Sequence, residues 1–324
     1  RTKGGRMTTD RISQGLAHWP ELAVAAGLPV DDWTPQLVAS RRDAKGDRVI
    51  VRLERPGHDP IICKKGLTPA DIAGTAAAVA AQDRARAGLA GSDGMGAPRI
   101  LVSLPEHGAV AMQAVAGRNL TELVEDGFSP TALRRAGQWV DAFHRIGPLE
   151  PRAFQPRFIV NHLRDLVHQE RQGTRQIARA RQFRLHVDAL ARHAPTIKGT
   201  PTLSSVRHGD LNGRNLILSD DAVWGIDFAE AGTGPVGFDI ARLLIHLAER
   251  APTRTVDAPV PAEMVGAFFD GYRLTGADDA SVRFLFLARI LSNWANMPPD
   301  EDAMTIIQTI RFQRMTELAA AGFG

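Results

Sequence analysis

The sequence predicts an α+β protein with two lobes, in which a β-rich N-terminal lobe precedes a mostly helical C-terminal lobe. Three observations predict this class. Short β-rich runs and a single Ala-rich helical segment fill the chain up to residue 116. Apolar residues at helical spacing dominate the remainder of the chain. One β-hairpin pattern interrupts those helices, between residues 216 and 226.

The N-terminal lobe, residues 8–116, is predicted to hold a five-stranded antiparallel sheet and one main helix. The helix has Thr68 as its N-cap and Pro69 in its first turn, and it ends near Gly88–Gly91. Turn-forming residues separate the strands, which are PQLVASRR, RVIVRLE, PIICKKG and the two arms of RILVSLPEHGAVAMQAV.

The C-terminal lobe, residues 117–324, is predicted to be helical apart from an embedded β-hairpin. Ser129 is a predicted N-cap, and the helix behind it contains GQWVDAFHRIG. A second helical pattern runs from Val160 to His193, with Gly173 as a break. Three later runs also show helical spacing: GFDIARLLIHLAER, AEMVGAFFDGYRL and SVRFLFLARILSNWANM. The hairpin strands are Leu216–Leu218 and Ala222–Ile226.

The composition is that of an ordinary globular protein, with 44% hydrophobic and 23% charged residues among 324. No apolar run reaches the ~18 residues that a membrane span needs, so we expect no membrane partner. We interpret RTKGGRM as an added leader that ends at a native start, Met7, and exclude it from the fold. No signal-peptide pattern follows it, and a single cysteine excludes an internal disulfide framework. A cytoplasmic protein is therefore expected.

The charge balance does not predict a nucleic-acid partner. The net charge is +3 and the isoelectric point about 9.4, and the leader contributes part of the excess. The arginine-rich stretch RDLVHQERQGTRQIARARQFRLHVDALARH lacks an aromatic stacking platform or a known binding motif. A charged helix face is usually solvated, so we expect no nucleic-acid partner. The small excess of positive charge would suit an anionic ligand such as a nucleotide, but it is too small to predict one.

The polar stretch RHGDLNGRNLIL, residues 207–218, carries the residues with the clearest chemistry. Asp210 and Asn215 lie five positions apart, and Asp227 follows in GIDF, at the end of the second hairpin strand. Because a hairpin brings its ends together, it can place Asn215 beside Asp227. Amide and carboxylate oxygens suit Mg²⁺ that shares substrate phosphates, and Asp210 can accept a proton from a hydroxyl. These are the parts that phosphoryl transfer requires.

HGDLNGRN followed by GIDF resembles the catalytic loop and metal-binding motif of the aminoglycoside phosphotransferase-like kinases, the small-molecule branch of the protein-kinase-like fold. Protein kinases carry H-R-D-x-x-x-x-N and D-F-G, where this chain has Gly209 in the second position and Ala229 in place of the last glycine. GPVGFDIARLL, GQWVDAFHRIG and AMQAVAGRNL are similar to further family segments. The resemblance covers most of residues 35–300, in order.

The resemblance implies ATP and Mg²⁺ as cofactors, with the adenine against backbone groups of the interlobe linker around Gln113 and Val115. It also implies a lysine on the third strand that binds the α- and β-phosphates. Lys64 is our choice and Lys65 the alternative, since adjacent strand residues point to opposite faces.

The other site residues also take their roles from the resemblance. Asn215 and Asp227 would hold Mg²⁺, and Asp210 would be the catalytic base. His208 is expected to brace the loop rather than to act as a base. Asp239, at a helix start, is expected to bind backbone amides of the catalytic loop.

The chain departs from the family in the helix after the third strand. That helix contains no glutamate to pair with the lysine, which leaves Asp83, Asp71 or no partner at all. The segment RRDAKGD has a single glycine, Gly46, where a phosphate-binding loop is expected to be glycine-rich. A catalytically weak, pseudokinase-like nucleotide-binding module is therefore the alternative function.

The phosphate acceptor is expected to be a hydroxyl of a small molecule: a sugar, an amino sugar, an amino alcohol or an aminoglycoside-like compound. GIDFAEAGTGPVGFDIA is also similar to the metal motif of bacterial kinases that phosphorylate N-acetylated amino sugars. That similarity ranks a sugar-like acceptor above the others.

Overall fold

The structure, a computed structural model, describes residues 3–43, 46–229, 232–251 and 258–323. Within these residues the chain forms two compact units. The first unit comprises Arg1–Gly117 with Trp224–Glu230, and the second comprises Arg118–Val223 with Ala231–Gly324. The segment that contains Asp227 therefore belongs to the first unit, although it is distant from it in sequence.

The first unit is built on a five-stranded antiparallel sheet with the order β1-β2-β3-β6-β5. Its elements are α1 (Lys3–Gly15), α2 (Trp19–Ala25), β1 (Thr34–Asp43), β2 (Gly46–Glu54), β3 (Ile61–Gly66), α3 (Pro69–Ala73), α4 (Thr75–Leu89), β4 (Met95–Gly96), β5 (Ile100–Leu104) and β6 (Ala109–Gln113). The predicted five-stranded sheet is confirmed.

The core of the first unit lies between one face of the sheet and the two N-terminal helices. Val49, Val51 and Leu53 alternate along β2 and are buried in one cluster with Trp19 and Leu22 of α2. Period-two alternation is what one buried face of a strand requires. The alternation of β2 therefore decides which face of the sheet the helices cover.

Helix α1 begins at Lys3, so the expectation that the leader lies outside the fold is wrong. Ile12 and Leu16, near the end of this helix, pack against the sheet core. Arg11 forms an ion pair with Asp47. These tertiary contacts hold a helix whose first residues, KGGRMTT, show no apolar periodicity.

The single helix predicted after the third strand is two helices, α3 and α4, which meet at Gly74. The Thr68 side chain caps α3 as predicted, by accepting from the Asp71 amide at 3.2 Å. The Thr75 hydroxyl donates to the Asp71 carbonyl at 3.0 Å. Asp71 lies at the ends of strands β2 and β3, where its side chain is buried.

The second unit is mostly helical. Its elements are β7 (Arg118–Asn119), α5 (Leu120–Asp126), α6 (Pro130–His144), β8 (Glu150–Ala153), α7 (Arg157–Arg171), α8 (Ala180–Ile197), β9 (Pro201–Val206), β10 (Leu216–Leu218), β11 (Val223–Gly225), β12 (Thr233–Pro235), α9 (Gly237–Ala248), α10 (Ala262–Gly271), α11 (Ala280–Trp294) and α12 (Ile306–Phe323). Strand β11 runs across the boundary between the units.

The predicted hairpin is confirmed by β10 and β11, whose turn is closed by the Ser219 amide donating to the Ala222 carbonyl at 2.9 Å. The predicted break at Gly173 is also confirmed, because this residue has φ of 74° and separates α7 from α8. The three-stranded sheet β12-β9-β8 and helix α12 were not predicted.

Helices α6 and α10 cross at glycines, Gly137 and Gly271. A Cβ atom on Gly137 would lie 2.2 Å from the Phe268 carbonyl oxygen, and one on Gly271 would lie 1.9 Å from that of Arg134. The two backbones therefore approach more closely than any side chain would allow. None of the helices in the described residues is long and apolar enough to cross a membrane.

Candidate active site

Lys64 and Asp227 form an ion pair inside the first unit. On β3, the side chains of Ile61, Cys63 and Lys65 are buried, whereas that of Lys64 is 24% exposed. The Lys65 ammonium donates instead to the His107 carbonyl, and burial lowers the pKa of Lys65. The two lysines therefore point to opposite faces of the sheet, and only Lys64 reaches the GIDF segment.

Asp227 has φ of 64°, in the left-handed region that residues other than glycine seldom adopt. Such a conformation persists only where the surroundings enforce it, and it is frequent at ligand-binding sites. The carboxylate of Asp227 is about one-third exposed. A partly open carboxylate beside a lysine is thus held at this turn.

The helices after β3 supply no carboxylate to Lys64 among the described residues. Asp71 binds Arg48 at 2.5 Å and also accepts from the Asp47 amide and the Thr68 hydroxyl. Burial raises the pKa of Asp71, but these hydrogen bonds outweigh it and lower the value to about 2. Asp83 is exposed on α4.

The buried polar residue of α4 is Gln82, whose amide donates to the Pro98 carbonyl at 2.9 Å and approaches the Met112 sulfur at 3.8 Å. Gln82 therefore anchors this helix to the sheet. The carboxylate that Lys64 contacts in the described chain is Asp227.

Gln113 is the last residue of β6, and Val115 lies just beyond the strand. The Gln113 amide donates to the Arg99 carbonyl at 2.9 Å, and its side chain accepts from the Arg99 amide at 3.4 Å. Gln113 lines a cavity of about 840 Å³ in the first unit, to which neither Val115 nor Lys64 contributes. Of the three residues predicted to contact the nucleotide, Gln113 is the one that lines this cavity.

The loop after β9 carries Asp210 and Asn215 in the second unit. The side-chain amides of Asn212 and Asn215 both donate to the Asp210 carbonyl at 2.9 Å. The Asn212 oxygen also accepts from the Arg214 amide at 3.0 Å, which closes the turn before β10. Both asparagines therefore fix the backbone of Asp210 and leave its carboxylate outside this network.

Two buried residues, His208 and Asp239, stabilise this loop. Asp239 is buried, and its carboxylate accepts from the His208 amide at 2.7 Å, the backbone contact expected from the sequence. Asp239 also lies 3.3 Å from His144, whose other ring nitrogen lies 3.0 Å from the Tyr272 hydroxyl. Burial raises the pKa of Asp239, but the interactions with His144 and His208 outweigh it and lower the value.

The carboxylate of Asp210 forms an ion pair with Arg242 of α9. Burial, followed by repulsion from Arg289, lowers the pKa of Arg242 to about 10. Arg242 was not predicted as a site residue. Its signal in the sequence is that it is the one arginine within the apolar helical run GFDIARLLIHLA. Asp210 is therefore charge-paired, with its side chain 41% exposed.

The described residues contain no group of three or more His, Cys, Asp or Glu able to hold a metal ion. Magnesium needs fewer, because it commonly combines one or two carboxylates with substrate phosphates and waters. The Asn215 amide nitrogen is used on the Asp210 carbonyl, which leaves its oxygen as an acceptor. In the first unit, the Asp227 carboxylate likewise offers oxygen atoms of the kind that a hard divalent cation prefers.

Comparison with known proteins gives one family match. The model of the family described as "Phosphotransferase enzyme family" matches residues 30–285. No curated protein matches the sequence.

Solved structures share the fold at low sequence identity. A macrolide 2'-phosphotransferase from Brachybacterium faecium has a TM-score of 0.57 at 17% identity, covering 93% of this chain and 98% of that one. A choline/ethanolamine kinase family protein from Mesorhizobium loti has a TM-score of 0.53 at 17% identity, covering 93% and 97%. An amicoumacin kinase solved with AMP-PNP, Ca²⁺ and its antibiotic has 0.55 at 14% identity, covering 88% of each chain.

Proposed function

The chain belongs to the phosphotransferase enzyme family, and on that premise we propose that it is an ATP- and Mg²⁺-dependent kinase that phosphorylates a hydroxyl of a small molecule. The observation that carries the proposal is the loop of Asp210. Its backbone is held by two asparagine amides and by the buried Asp239, while its carboxylate stays partly exposed. A rigid loop with an accessible carboxylate is what a positioned general base requires.

We assign the roles of the site as follows. Asp210 accepts the proton of the acceptor hydroxyl and orients its oxygen towards the γ-phosphorus. Lys64 binds the α- and β-phosphates, while backbone groups at Gln113 and Val115 bind the adenine. Asn215 and Asp227 would hold a Mg²⁺ ion, which would supply positive charge to neutralise the nucleotide phosphates.

The ion pair of Lys64 with Asp227 supports these roles, because each residue has an opposite charge as partner until phosphates and a cation replace it. The same proposal makes residues 8–116 the nucleotide-binding lobe and residues 117–324 the catalytic and acceptor lobe of a cytoplasmic protein. A sugar-like hydroxyl remains our preferred acceptor, from the similarity of GIDFAEAGTGPVGFDIA.

A nucleotide-binding module without phosphotransfer is the second candidate. Two observations favour it: no helix carboxylate reaches Lys64 in the described residues, and Arg242 occupies the carboxylate of Asp210. Both features would lower the rate of transfer without preventing ATP from binding.

The substitution Asp210→Asn separates the two candidates. We expect it to lower kcat by about 100-fold or more, since general-base catalysis contributes that much, and to leave the affinity for Mg²⁺ and AMP-PNP unchanged. The measurement is coupled ADP release across a panel of hydroxyl-bearing metabolites, together with calorimetric titration of the nucleotide.

The matched control is Asp220→Asn, an exposed acid in the turn between β10 and β11, which we expect to behave as wild type. Retained turnover in Asp210→Asn would exclude the base role. A wild-type protein that binds AMP-PNP and phosphorylates no compound of the panel would favour the module.

A further inference from the structure

A cavity of about 200 Å³ opens in the second unit beside the loop of Asp210. Helices α7, α9 and α11 line it together with Arg207 and Gly209 of the loop. All of its lining residues belong to one compact unit. Since Gly209 precedes Asp210 directly, a small molecule in this cavity would lie next to the proposed base.

The charged lining of this cavity is predominantly basic. Three arginines contribute, Arg207, Arg242 and Arg289. The acid among the lining residues is Asp239, which is buried and already bound to His144 and to the His208 amide.

Two acids outside the lining, which interact with its arginines, are also engaged. Asp210 is paired with Arg242. Glu249, whose charge acts on Arg289, binds Arg311 at 2.7 Å and Asn293 at 2.5 Å. Since the pair with Asp210 also engages Arg242, the lining arginine that has no ion pair among the described residues is Arg289.

Two of these arginines have an N–H group without a hydrogen-bond partner. The Nε atoms of Arg242 and Arg289 are buried and have no hydrogen-bond partner among the described residues. The Arg289 guanidinium has neither a hydrogen bond nor an ion pair in that part of the chain. Burial lowers the pKa of both residues, and the two cations repel each other. Partly buried cations with unpaired N–H groups gain from an anion that reaches them.

We infer that this cavity is the acceptor site and that it selects a hydroxyl compound with an anionic oxygen group, a carboxylate or a phosphate, bound by Arg242 and Arg289. The inference rests on the proposed kinase function for the identity of the ligand as acceptor. A guanidinium is the group that pairs with carboxylate or phosphate through parallel hydrogen bonds. A polycationic acceptor would instead add charge to an already basic cavity.

The rest of the lining fits the carbon skeleton of such a compound. Phe158 of α7 is 82% exposed and stands at the cavity, and Phe238 lies under the guanidinium of Arg207 with its ring 5.5 Å away. Apolar walls with a few convergent polar groups are typical of small-molecule sites. The cavity thus provides an aromatic side for the skeleton and a basic side for an acid group.

The first experiment is calorimetric titration, without nucleotide, of inorganic phosphate, glucuronate, glucose and glucosamine into the wild-type protein and into Arg289→Gln. The three sugars share one ring and differ in charge. We expect phosphate or glucuronate, or both, to bind, and glucosamine to bind more weakly than glucuronate. Phosphate binding alone indicates a phosphorylated acceptor, and glucuronate binding alone indicates a sugar acid.

Arg289→Gln should weaken anion binding by about 10- to 100-fold, as for the loss of one charge-assisted hydrogen-bonding group. Because it relieves the repulsion of Arg242, we expect its thermal midpoint to equal or exceed that of wild type. Arg289→Lys keeps the charge without the paired donors and should bind anions with intermediate affinity. It also serves as the second variant if Arg289→Gln does not fold.

Arg283→Gln is the matched control, an exposed arginine on the same helix, and should bind as wild type. Lys64→Met should also retain anion binding, which excludes a phosphate bound to Lys64. The inference is overturned if neither anion binds, if Arg289→Gln binds them as tightly as wild type, or if glucosamine binds best. These titrations contain no ATP, so they stay decisive even where the ADP-release assay rejects the kinase.

Discussion

At the scale of single residues, neighbouring lysines on one strand have different physical roles. Lys64 is partly exposed and paired with Asp227, whereas Lys65 is 6% exposed and bound to a backbone carbonyl. Strand alternation predicts opposite faces for the two residues but does not say which face meets the ligand. Only the position of the GIDF segment, brought in from a distant part of the chain, distinguishes them.

The pair Lys64→Met and Lys65→Met tests this difference. We expect Lys64→Met to weaken Mg²⁺·AMP-PNP binding by about 10- to 100-fold, because it removes a charge-assisted contact with phosphate. Lys65→Met replaces a buried ammonium with an apolar chain of similar length and should keep the wild-type nucleotide affinity. Calorimetric titration measures both, and equal losses in the two variants would contradict the assignment.

Other residues of the site could not have been predicted from their neighbours in sequence. Asp71 was one of two candidates to pair with the strand lysine, yet it binds Arg48 and the Asp47 amide. Arg242 contacts Asp210 from 32 positions away. In contrast, a contact of Asp239 with backbone amides of the loop was expected, because the family resemblance implied it, and the structure shows it at the His208 amide.

At the scale of elements, the close packing of α6 against α10 supports the loop that carries Asp210. Helix α6 ends at His144 and α10 is followed by Tyr272, and these two side chains contact each other at 3.0 Å. His144 in turn contacts Asp239, which holds the His208 amide. The glycines at the crossing therefore affect the loop through this chain of contacts.

Gly271→Ala tests that packing. The added Cβ would meet the Arg134 carbonyl at 1.9 Å and the Gln138 amide at 2.8 Å, both of them backbone groups. We expect the free energy of unfolding to fall by about 3 kcal/mol or more, at the upper end of overpacking effects, and catalytic turnover to fall with it. Chemical denaturation measures the first effect and the activity assay the second.

Gly266→Ala, in the same helix, is the matched control, because a Cβ there meets nothing within 4 Å. In that variant the higher helix propensity of alanine should raise the free energy of unfolding by about 0.5–1 kcal/mol. A Gly271→Ala protein as stable as Gly266→Ala would show that the helices can separate freely at this crossing.

The elements that were predicted and those that were missed differ in how local their signals are. Strands β2 and β3 alternate, and Gly173 breaks a helical pattern, so each is visible in a short window of sequence. Strand β8 is EPRA, fully exposed and without alternation, and it exists because it pairs with β9 about fifty residues later. Pairing with a strand so distant in sequence produces no local pattern that would predict β8.

At the scale of the whole molecule, the segment around Asp227 belongs to the first unit although the chain on both sides of it belongs to the second. Lys64 and Asp227 are 163 positions apart and yet lie in one compact unit. A single domain boundary placed along the sequence would assign Lys64 and Asp227 to different domains. It means that the stability of the first unit and the proposed metal ligand are linked.

Cys63 can report that linkage, since it is the single cysteine of the chain and lies within β3, between β2 and β6. Its side chain is 1% exposed, and burial raises the pKa of the thiol to about 12. A thiol reagent therefore reaches Cys63 only when the first unit opens.

We expect Mg²⁺·AMP-PNP to slow the labelling of Cys63, by about 100-fold when its free concentration is 100 times its Kd, because a ligand stabilises the unit that binds it by RT ln(1 + [L]/Kd). Removal of the cation with EDTA should restore most of the labelling rate measured without nucleotide. Lys64→Met, whose affinity is expected to be 10- to 100-fold lower, should show only about 2- to 10-fold protection at the same nucleotide concentration. The measurement is the rate at which a chromogenic thiol reagent releases its coloured product as it labels Cys63, at constant protein concentration and pH. A labelling rate in the wild type that does not respond to the nucleotide would show that the first unit, with Lys64 and Asp227, is not where the nucleotide binds.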